Sequence, residues 1–367
     1  MPANLPPEAR AKWRRVMEAR SPEEKLIALQ EFLSAVPKHK GTERLRMQVT
    51  RQIASLRREI EERKKRKGGG EHFFLEKEGD IQVVLLGLPG SGKTEVFNCL
   101  AGLSVLDEPR KPVPGVRIWE GVYFQLVNTP PLIEGADVTS RVLALARNAD
   151  ALIVVINTRM DVYYQLSVLS KLLEEGKIAV KKPRCTVTIE RKATGGIVLV
   201  GRLVGATLQE LAALLRDYGV HHAIVRIEGE ATLDDVEEAL FGSTLYKPTL
   251  LVSWGGRLAD SASLSGVPVV SASSCESLDF SSMAHYFLRS LDLIRVYTRN
   301  PKTGVVETRP VLVKRGTRVV EVAKIIHSDL YENFKFAKVW STRFEFNPRR
   351  VGRDYVPEDG DVVEIVA

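Results

Sequence analysis

The stretch Ile81-Gln82-Val83-Val84-Leu85-Leu86-Gly87-Leu88-Pro89-Gly90-Ser91-Gly92-Lys93-Thr94 decides the fold. Its first part is an apolar run of the kind that builds a strand buried on both faces. The rest satisfies GxxxxGK[ST] at every required position, and a helical stretch begins near Lys93. Strand, glycine-rich turn and helix in that order make a phosphate-binding loop (P-loop). Its glycines let successive backbone N–H groups turn inward around phosphate oxygens, and the helix N-terminus adds partial positive charge. The motif positions Lys93 to reach the β- and γ-phosphates and the Thr94 hydroxyl to ligate Mg²⁺. Gly87, Leu88, Pro89, Gly90, Ser91, Gly92, Lys93 and Thr94 are therefore candidate nucleotide-binding residues, and Lys93 and Thr94 the candidate catalytic pair.

Further apolar runs at residues 122–127, 151–156, 250–253 and 267–270 read as more buried strands. Alternating with helical stretches, they predict an α/β domain with a doubly wound sheet over residues 71–290. The span from Asn157 to Thr249 is too long for one crossover. Strands at 185–189, 196–200 and 223–227 and a helix at 207–218 predict an inserted α+β subdomain at about residues 176–245. Upstream, Ser21 caps a helix, with Pro22 in its first turn and Glu24 closing the capping box. Leu26, Leu29, Leu33 and Val36 continue it at helical spacing, and Leu45, Val49, Ile53, Leu56 and Ile60 mark a second helix. Residues 1–70 thus read as a helical hairpin closed by the joint Gly68-Gly69-Gly70. Residues 291–367 read as strand, strand, helix (319–330), strand, strand, the order of a β-grasp domain.

No apolar run approaches the length needed to cross a bilayer, and the first residues lack the apolar core of a signal peptide. Cys99, Cys185 and Cys275 are scattered with no CxxC pair, which excludes a disulfide framework and a cysteine-rich zinc site and fits a reducing cytosol. The net charge of +7 is unevenly placed: residues 1–70 hold 18 basic against 9 acidic side chains. The basic run ends in Arg63-Lys64-Lys65-Arg66-Lys67, an electrostatic footprint for a phosphate backbone. A solvated helix face is the plain alternative. The run has no interleaved aromatics, so shape or backbone binding is favoured over base reading.

Several segments carry a family resemblance. They include Pro37-Lys38-His39-Lys40-Gly41-Thr42-Glu43, Pro114-Gly115-Val116, Leu132-Ile133-Glu134-Gly135-Ala136 and Lys181-Lys182-Pro183. Thr194-Gly195-Gly196-Ile197, Lys338-Val339-Trp340 and Arg349-Arg350-Val351-Gly352 extend them to nearly the whole chain. With the P-loop, these residues resemble the Obg family of translation GTPases, and within it the developmentally regulated GTP-binding protein (DRG) branch of archaea and eukaryotes. The resemblance implies GTP or GDP as ligand with Mg²⁺, a C-terminal TGS domain and a cytoplasmic protein associated with the ribosome or RNA, without a membrane. It also implies a stabilising partner protein. RNA-facing candidates are Lys64, Lys65, Arg66 and Lys67, with Arg349 and Arg350 in a loop of the TGS domain.

The departures are as informative. The first-switch stretch Asp107-Glu108-Pro109-Arg110-Lys111-Pro112 has no Thr to close on Mg²⁺. The second-switch DxPG is Asn128-Thr129-Pro130-Pro131, leaving Asn128 a weak outer support for the metal, and Pro131 has no N–H to offer the γ-phosphate. Where NKxD would read guanine stand Trp254-Gly255-Gly256-Arg257, without the carboxylate that accepts both guanine N–H donors. Asn157-Thr158-Arg159-Met160-Asp161 imitates that motif but is one residue too long and follows an earlier strand. Ser271, Ala272 and Ser273 keep some likeness to the last base-contacting loop. The expectation is a GTP-binding protein with weak or absent hydrolysis. An RNA-docking pseudo-GTPase and a site relaxed toward ATP remain alternatives.

Overall fold

The computed structural model describes residues 6–19, 21–37, 42–65, 73, 75–240, 244–258, 264 and 266–367. In chain order the helices α1 (Pro7–Glu18), α2 (Pro22–Ala35) and α3 (Glu43–Lys65) come first. Then follow β1 (Ile81–Leu86), α4 (Lys93–Ala101), β2 (Val113–Trp119), β3 (Val122–Asn128), α5 (Asp137–Asn148), β4 (Ala151–Asn157) and α6 (Val162–Glu175). Next are β5 (Ile178–Ala179), β6 (Cys185–Arg191), β7 (Ile197–Leu203), α7 (Leu208–Asp217), β8 (Ala223–Ala231), α8 (Leu233–Leu240) and β9 (Leu245–Tyr246). After these run β10 (Thr249–Trp254), β11 (Val269–Ala272), α9 (Phe280–Ser290), β12 (Leu293–Thr298) and β13 (Val311–Lys314). The chain closes with α10 (Val319–Ile326), α11 (Ser328–Glu332), β14 (Phe336–Trp340), β15 (Arg349–Val351) and β16 (Val362–Val366).

The chain divides into two compact units, Met1–His72 with Leu173–Tyr246, and Phe73–Leu172 with Lys247–Ala367. In the first, the predicted pair of N-terminal helices is α2 and α3, and Ser21 caps α2 by accepting from the Glu24 N–H at 3.1 Å. Helix α1 adds to them. Its Ala9, Trp13 and Val16 fall at helical spacing and are buried against Leu29, Phe32 and Val49. The Trp13 and Phe32 rings lie 4.9 Å apart. Tyr218, just after α7, joins this same core. The rest of the unit is a sheet ordered β6-β8-β7, with β8 antiparallel to β6 and parallel to β7. Leu211 and Leu215 of α7 and Val236 of α8 pack on it.

The second unit is built on a six-stranded sheet ordered β11-β10-β4-β1-β3-β2. All neighbours are parallel except β2, which runs antiparallel to β3. Strands β1 and β4 are buried along their full length save for the last residue of β4, the pattern the apolar runs predict. Val96, Phe97 and Leu100 of α4 and Met283, Ala284 and Phe287 of α9 share its core. Edge strand β2 is absent from the sequence reading because Pro114, Gly115 and Arg117 interrupt its apolar residues, of which Val116 and Ile118 are exposed. It reaches β3 through a two-residue turn, Glu120-Gly121, with both residues at positive φ, as the right-handed twist of a hairpin demands.

The C-terminal domain of this unit has a sheet ordered β13-β12-β16-β14-β15, with Val319, Val322 and Ala323 of α10 in its core. Its predicted helix at 319–330 is broken at His327, where the backbone is extended and the ring Nδ1 caps α11. The segment carrying Arg349 and Arg350, read as a loop, is strand β15, antiparallel to β14. The strand read at 267–270 lies two residues later, as β11. This domain sits on the β2–β3 turn. Arg295 pairs with both Glu120 and Asp359 and lies 4.9 Å over the Trp119 ring. Arg309 reaches Asp80 at 2.8 Å, and the Tyr297 hydroxyl donates to the Glu120 carbonyl at 3.1 Å.

Candidate functional site

The P-loop leaves the C-terminal end of β1 and enters α4 at Lys93. Gly90 and Gly92 have φ of +72° and +82°, the left-handed region that glycine adopts without steric cost. At Gly92 a Cβ would also lie 2.3 Å from Trp254 Cδ1, so the indole of β10 sits directly against the loop. Lys93 is 1% exposed. Its ammonium donates to Asn128 Oδ1 at 3.1 Å and to the Thr129 carbonyl. Burial lowers its pKa to about 8, with the Glu108 and Glu95 carboxylates acting in the opposite sense. Asn128 Nδ2 donates to Thr94 Oγ1 at 3.3 Å. The Ser91 hydroxyl is fully buried and has no hydrogen-bond partner among the described residues.

The degenerate second switch folds onto this loop. The Leu132 N–H donates to the Gly87 carbonyl at 2.9 Å, and Thr129 Oγ1 donates to the Leu85 carbonyl at 2.6 Å. Leu132 itself is fully buried. The first-switch segment supplies a carboxylate: Gly90 N–H donates to Glu108 Oε1 at 3.1 Å. Among the described residues no group of three or more His, Cys, Asp or Glu side chains is assembled to hold a metal ion. Thr94 Oγ1, the oxygen expected to face Mg²⁺, is held by the neutral amide of Asn128.

On the opposite side of the loop, β4 and β10 end in register, Asn157 beside Trp254. Asn157 Nδ2 donates to the Gly90 carbonyl at 2.9 Å, and Thr158 Oγ1 to the Trp254 carbonyl at 3.2 Å. The sequence reading set this segment aside on spacing and strand order. The signal for its role is topological, because a parallel sheet brings the carboxyl ends of β1, β4 and β10 to one edge. Ser271 and Ala272 end β11 and hold the same region: Ser253 Oγ donates to Ser271 Oγ at 3.0 Å and the Gly255 N–H to the Ala272 carbonyl at 2.8 Å. The Ser273 N–H turns away to Ser277 Oγ at 3.1 Å. Arg257 is exposed.

The cysteines depart from the expectation of no disulfide. Cys99 of α4 and Cys275, three residues beyond β11, are joined in a disulfide with Cα atoms 5.0 Å apart. They are separated by 176 positions in sequence, so spacing carried no trace of the pairing. Only Cys185 is free among the described residues.

Of the basic candidates, Lys64 and Lys65 close helix α3, whereas Arg66 and Lys67 lie outside the described residues. Arg349 and Arg350 pair across β15 with Val339 and Lys338. Their guanidinium carbons lie 5.4 Å from the Phe344 ring centre and 3.8 Å from that of Phe336. The rings hold two exposed cations in place by cation–π attraction.

A mostly parallel sheet with a P-loop between its β1 and α4 defines a P-loop GTPase-like domain. Residues 82–191 match the family described as 50S ribosome-binding GTPase, and residues 294–367 match the TGS domain. The chain is 29% identical over 367 residues to developmentally-regulated G-protein 3 of Arabidopsis thaliana, covering 94% of this chain and 98% of that one. It is 29% identical over 336 residues to developmentally-regulated GTP-binding protein 1 of Xenopus laevis, covering 86% and 90%. An uncharacterized GTP-binding protein of Halobacterium salinarum is 27% identical over 370 residues, covering 94% and 99%. In domain set and over nearly its whole length the chain is similar to the P-loop GTP-binding proteins of the developmentally regulated type, with a GTPase-like domain followed by a C-terminal TGS domain.

Proposed function

We propose that this chain binds a guanine nucleotide with Mg²⁺ at its P-loop, hydrolyses it weakly or not at all, and engages RNA or the ribosome in the cytoplasm. The observation that carries the reading is the complete P-loop with Lys93 and Thr94 at the start of α4. Its relatives' names, which describe GTP-binding proteins, point to guanine over adenine. In the nucleotide complex the loop N–H groups hold the β-phosphate, and Lys93 exchanges Asn128 Oδ1 and the Thr129 carbonyl for phosphate oxygens. Thr94 Oγ1 fits Mg²⁺ through a lone pair not used by Asn128, and the ion supplies neutralisation of phosphate charge. With Asn128 neutral, the chain would offer the metal the Thr94 hydroxyl and no carboxylate at this position. Weak hydrolysis follows from the second switch. Leu132 is apolar and buried and orients no water, and Pro131 has no N–H to donate.

Titration calorimetry with GTP, GDP, ATP and ADP in Mg²⁺, on wild type and Lys93→Ala, tests this. Guanine-selective binding that disappears in Lys93→Ala is the expected result. Equal affinity for adenine nucleotides would move the site to the relaxed class, and no binding of any nucleotide would refute the reading. For RNA, the basic end of α3 and the ring-held Arg349 and Arg350 supply phosphate contacts. Neutralising Lys64, Lys65, Arg349 and Arg350 should weaken RNA binding across sequences and flatten its salt dependence by about 0.7–0.9 in log–log slope per lost contact. An unchanged slope would exclude these residues. A stabilising partner protein is part of the same proposal, checked by co-purification of the tagged chain from its host.

A further inference from the structure

The geometry points to Glu108 as a built-in phosphate surrogate, a carboxylate latch that occupies the P-loop and must be displaced before a nucleotide phosphate can enter. This inference rests on the nucleotide-binding reading above. Glu108 Oε1 accepts from the Gly90 N–H at 3.1 Å, one of the donors that a P-loop turns toward phosphate oxygens. The carboxylate is also the foremost charge favouring the protonated form of Lys93 against the cost of its burial. One acidic side chain therefore accepts from a loop amide and favours the charge on the loop lysine.

The segment carrying it is held in place on both sides. Before it, Asn98 of α4 grips Val105 twice: Nδ2 donates to the Val105 carbonyl at 2.7 Å, and Oδ1 accepts from the Val105 N–H at 3.0 Å. After it, Pro109 and Pro112 are buried. Between these anchors Leu106 and Asp107 face solvent, and the Glu108 carboxylate returns to the loop. The contact needs no association step, because latch and loop belong to one chain. In the first switch the resemblance calls for a Thr that closes on bound nucleotide. A carboxylate there does the reverse, since two anions cannot share one set of amides. The fully buried Ser91 hydroxyl, without a partner among the described residues, shows that the loop retains donor capacity the latch does not use.

The test is stopped-flow and equilibrium binding of a fluorescent GDP derivative to wild type, Glu108→Gln, Glu108→Ala and Lys93→Ala, in Mg²⁺. The Gln variant keeps shape and removes charge, and circular dichroism verifies folding of each. If the latch is closed nine-tenths of the time, removing it tightens apparent GDP affinity by about tenfold, through faster association. Hydrogen exchange of the peptide containing Gly90, measured without nucleotide, should also speed up in Glu108→Ala. Lys93-dependent binding by wild type with unchanged affinity in both Glu108 variants would overturn the latch and leave the nucleotide-binding reading standing. Weaker binding in the variants would overturn it too, and would assign Glu108 to the bound complex. Absence of nucleotide binding in every form, the Glu108 variants included, would overturn both.

Discussion

Reduction of the Cys99–Cys275 disulfide should destabilise the unit that carries the P-loop. The bridge closes 176 positions of chain. In the chain-entropy account, a cross-link restricts the unfolded ensemble, and a loop of that length corresponds to about 5 kcal/mol at 25 °C. That figure is an upper bound on what reduction removes. At about 2–4 °C per kcal/mol for a large domain, the thermal midpoint should fall by on the order of 10 °C. The clean perturbation is Cys275→Ser, because Cys275 is exposed and the hydroxyl replaces the sulfur without leaving a cavity. Differential scanning fluorimetry with and without a phosphine reductant, on wild type and Cys275→Ser, reads the effect. Reductant should lower the wild-type midpoint to that of the variant and leave the variant unmoved. Thiol titration in denaturant without reductant should find one reactive sulfur, that of Cys185. Three reactive sulfurs, or a wild-type midpoint indifferent to reductant, would refute the reasoning.

Lys93 gives a pH signature. Its folded pKa is lowered to about 8 from 10.5 by burial, so between those values the unfolded chain binds more protons and stability rises with pH. Lys93→Met should flatten that rise in urea midpoints taken from pH 7.5 to 10.5, and a slope surviving in the variant would contradict the assignment. Nucleotide binding at pH 8 to 9 should take up a fraction of a proton, read from calorimetry in buffers of different ionisation enthalpy; no uptake would place Lys93 away from the phosphates. Gly121→Ala should destabilise the TGS side of its unit by about 1–3 kcal/mol from backbone strain alone, since φ is +79° and the new Cβ would lie 2.1 Å from the Thr308 carbonyl oxygen. Wild-type thermal stability in that variant would dissolve the described contact. Trp13→Ala should cost roughly 3–5 kcal/mol by emptying the core that α1 shares with Phe32, measured by urea unfolding of the full chain.

What the sequence determined by itself was whatever is written locally. Apolar runs located β1, β3, β4 and β10 because strands buried on both faces admit few polar residues, and those paired, as Gln82 is with Gln125. The P-loop was legible because its chemistry needs glycines, a lysine and a hydroxyl at fixed spacing along one turn. Ser21 announced its helix because a cap acts over three residues. Edge strand β2 escaped because one of its faces is wet, and β15 because three residues of strand among arginines carry no period. Tertiary structure alone decided what converges on the loop. Trp254 against Gly92, Asn157 on the Gly90 carbonyl, Glu108 on the Gly90 N–H and Cys275 on Cys99 join residues 18 to 176 positions apart. Those contacts depend on strand order at one edge of a parallel sheet, a property of the whole packed domain that no local pattern of residues encodes.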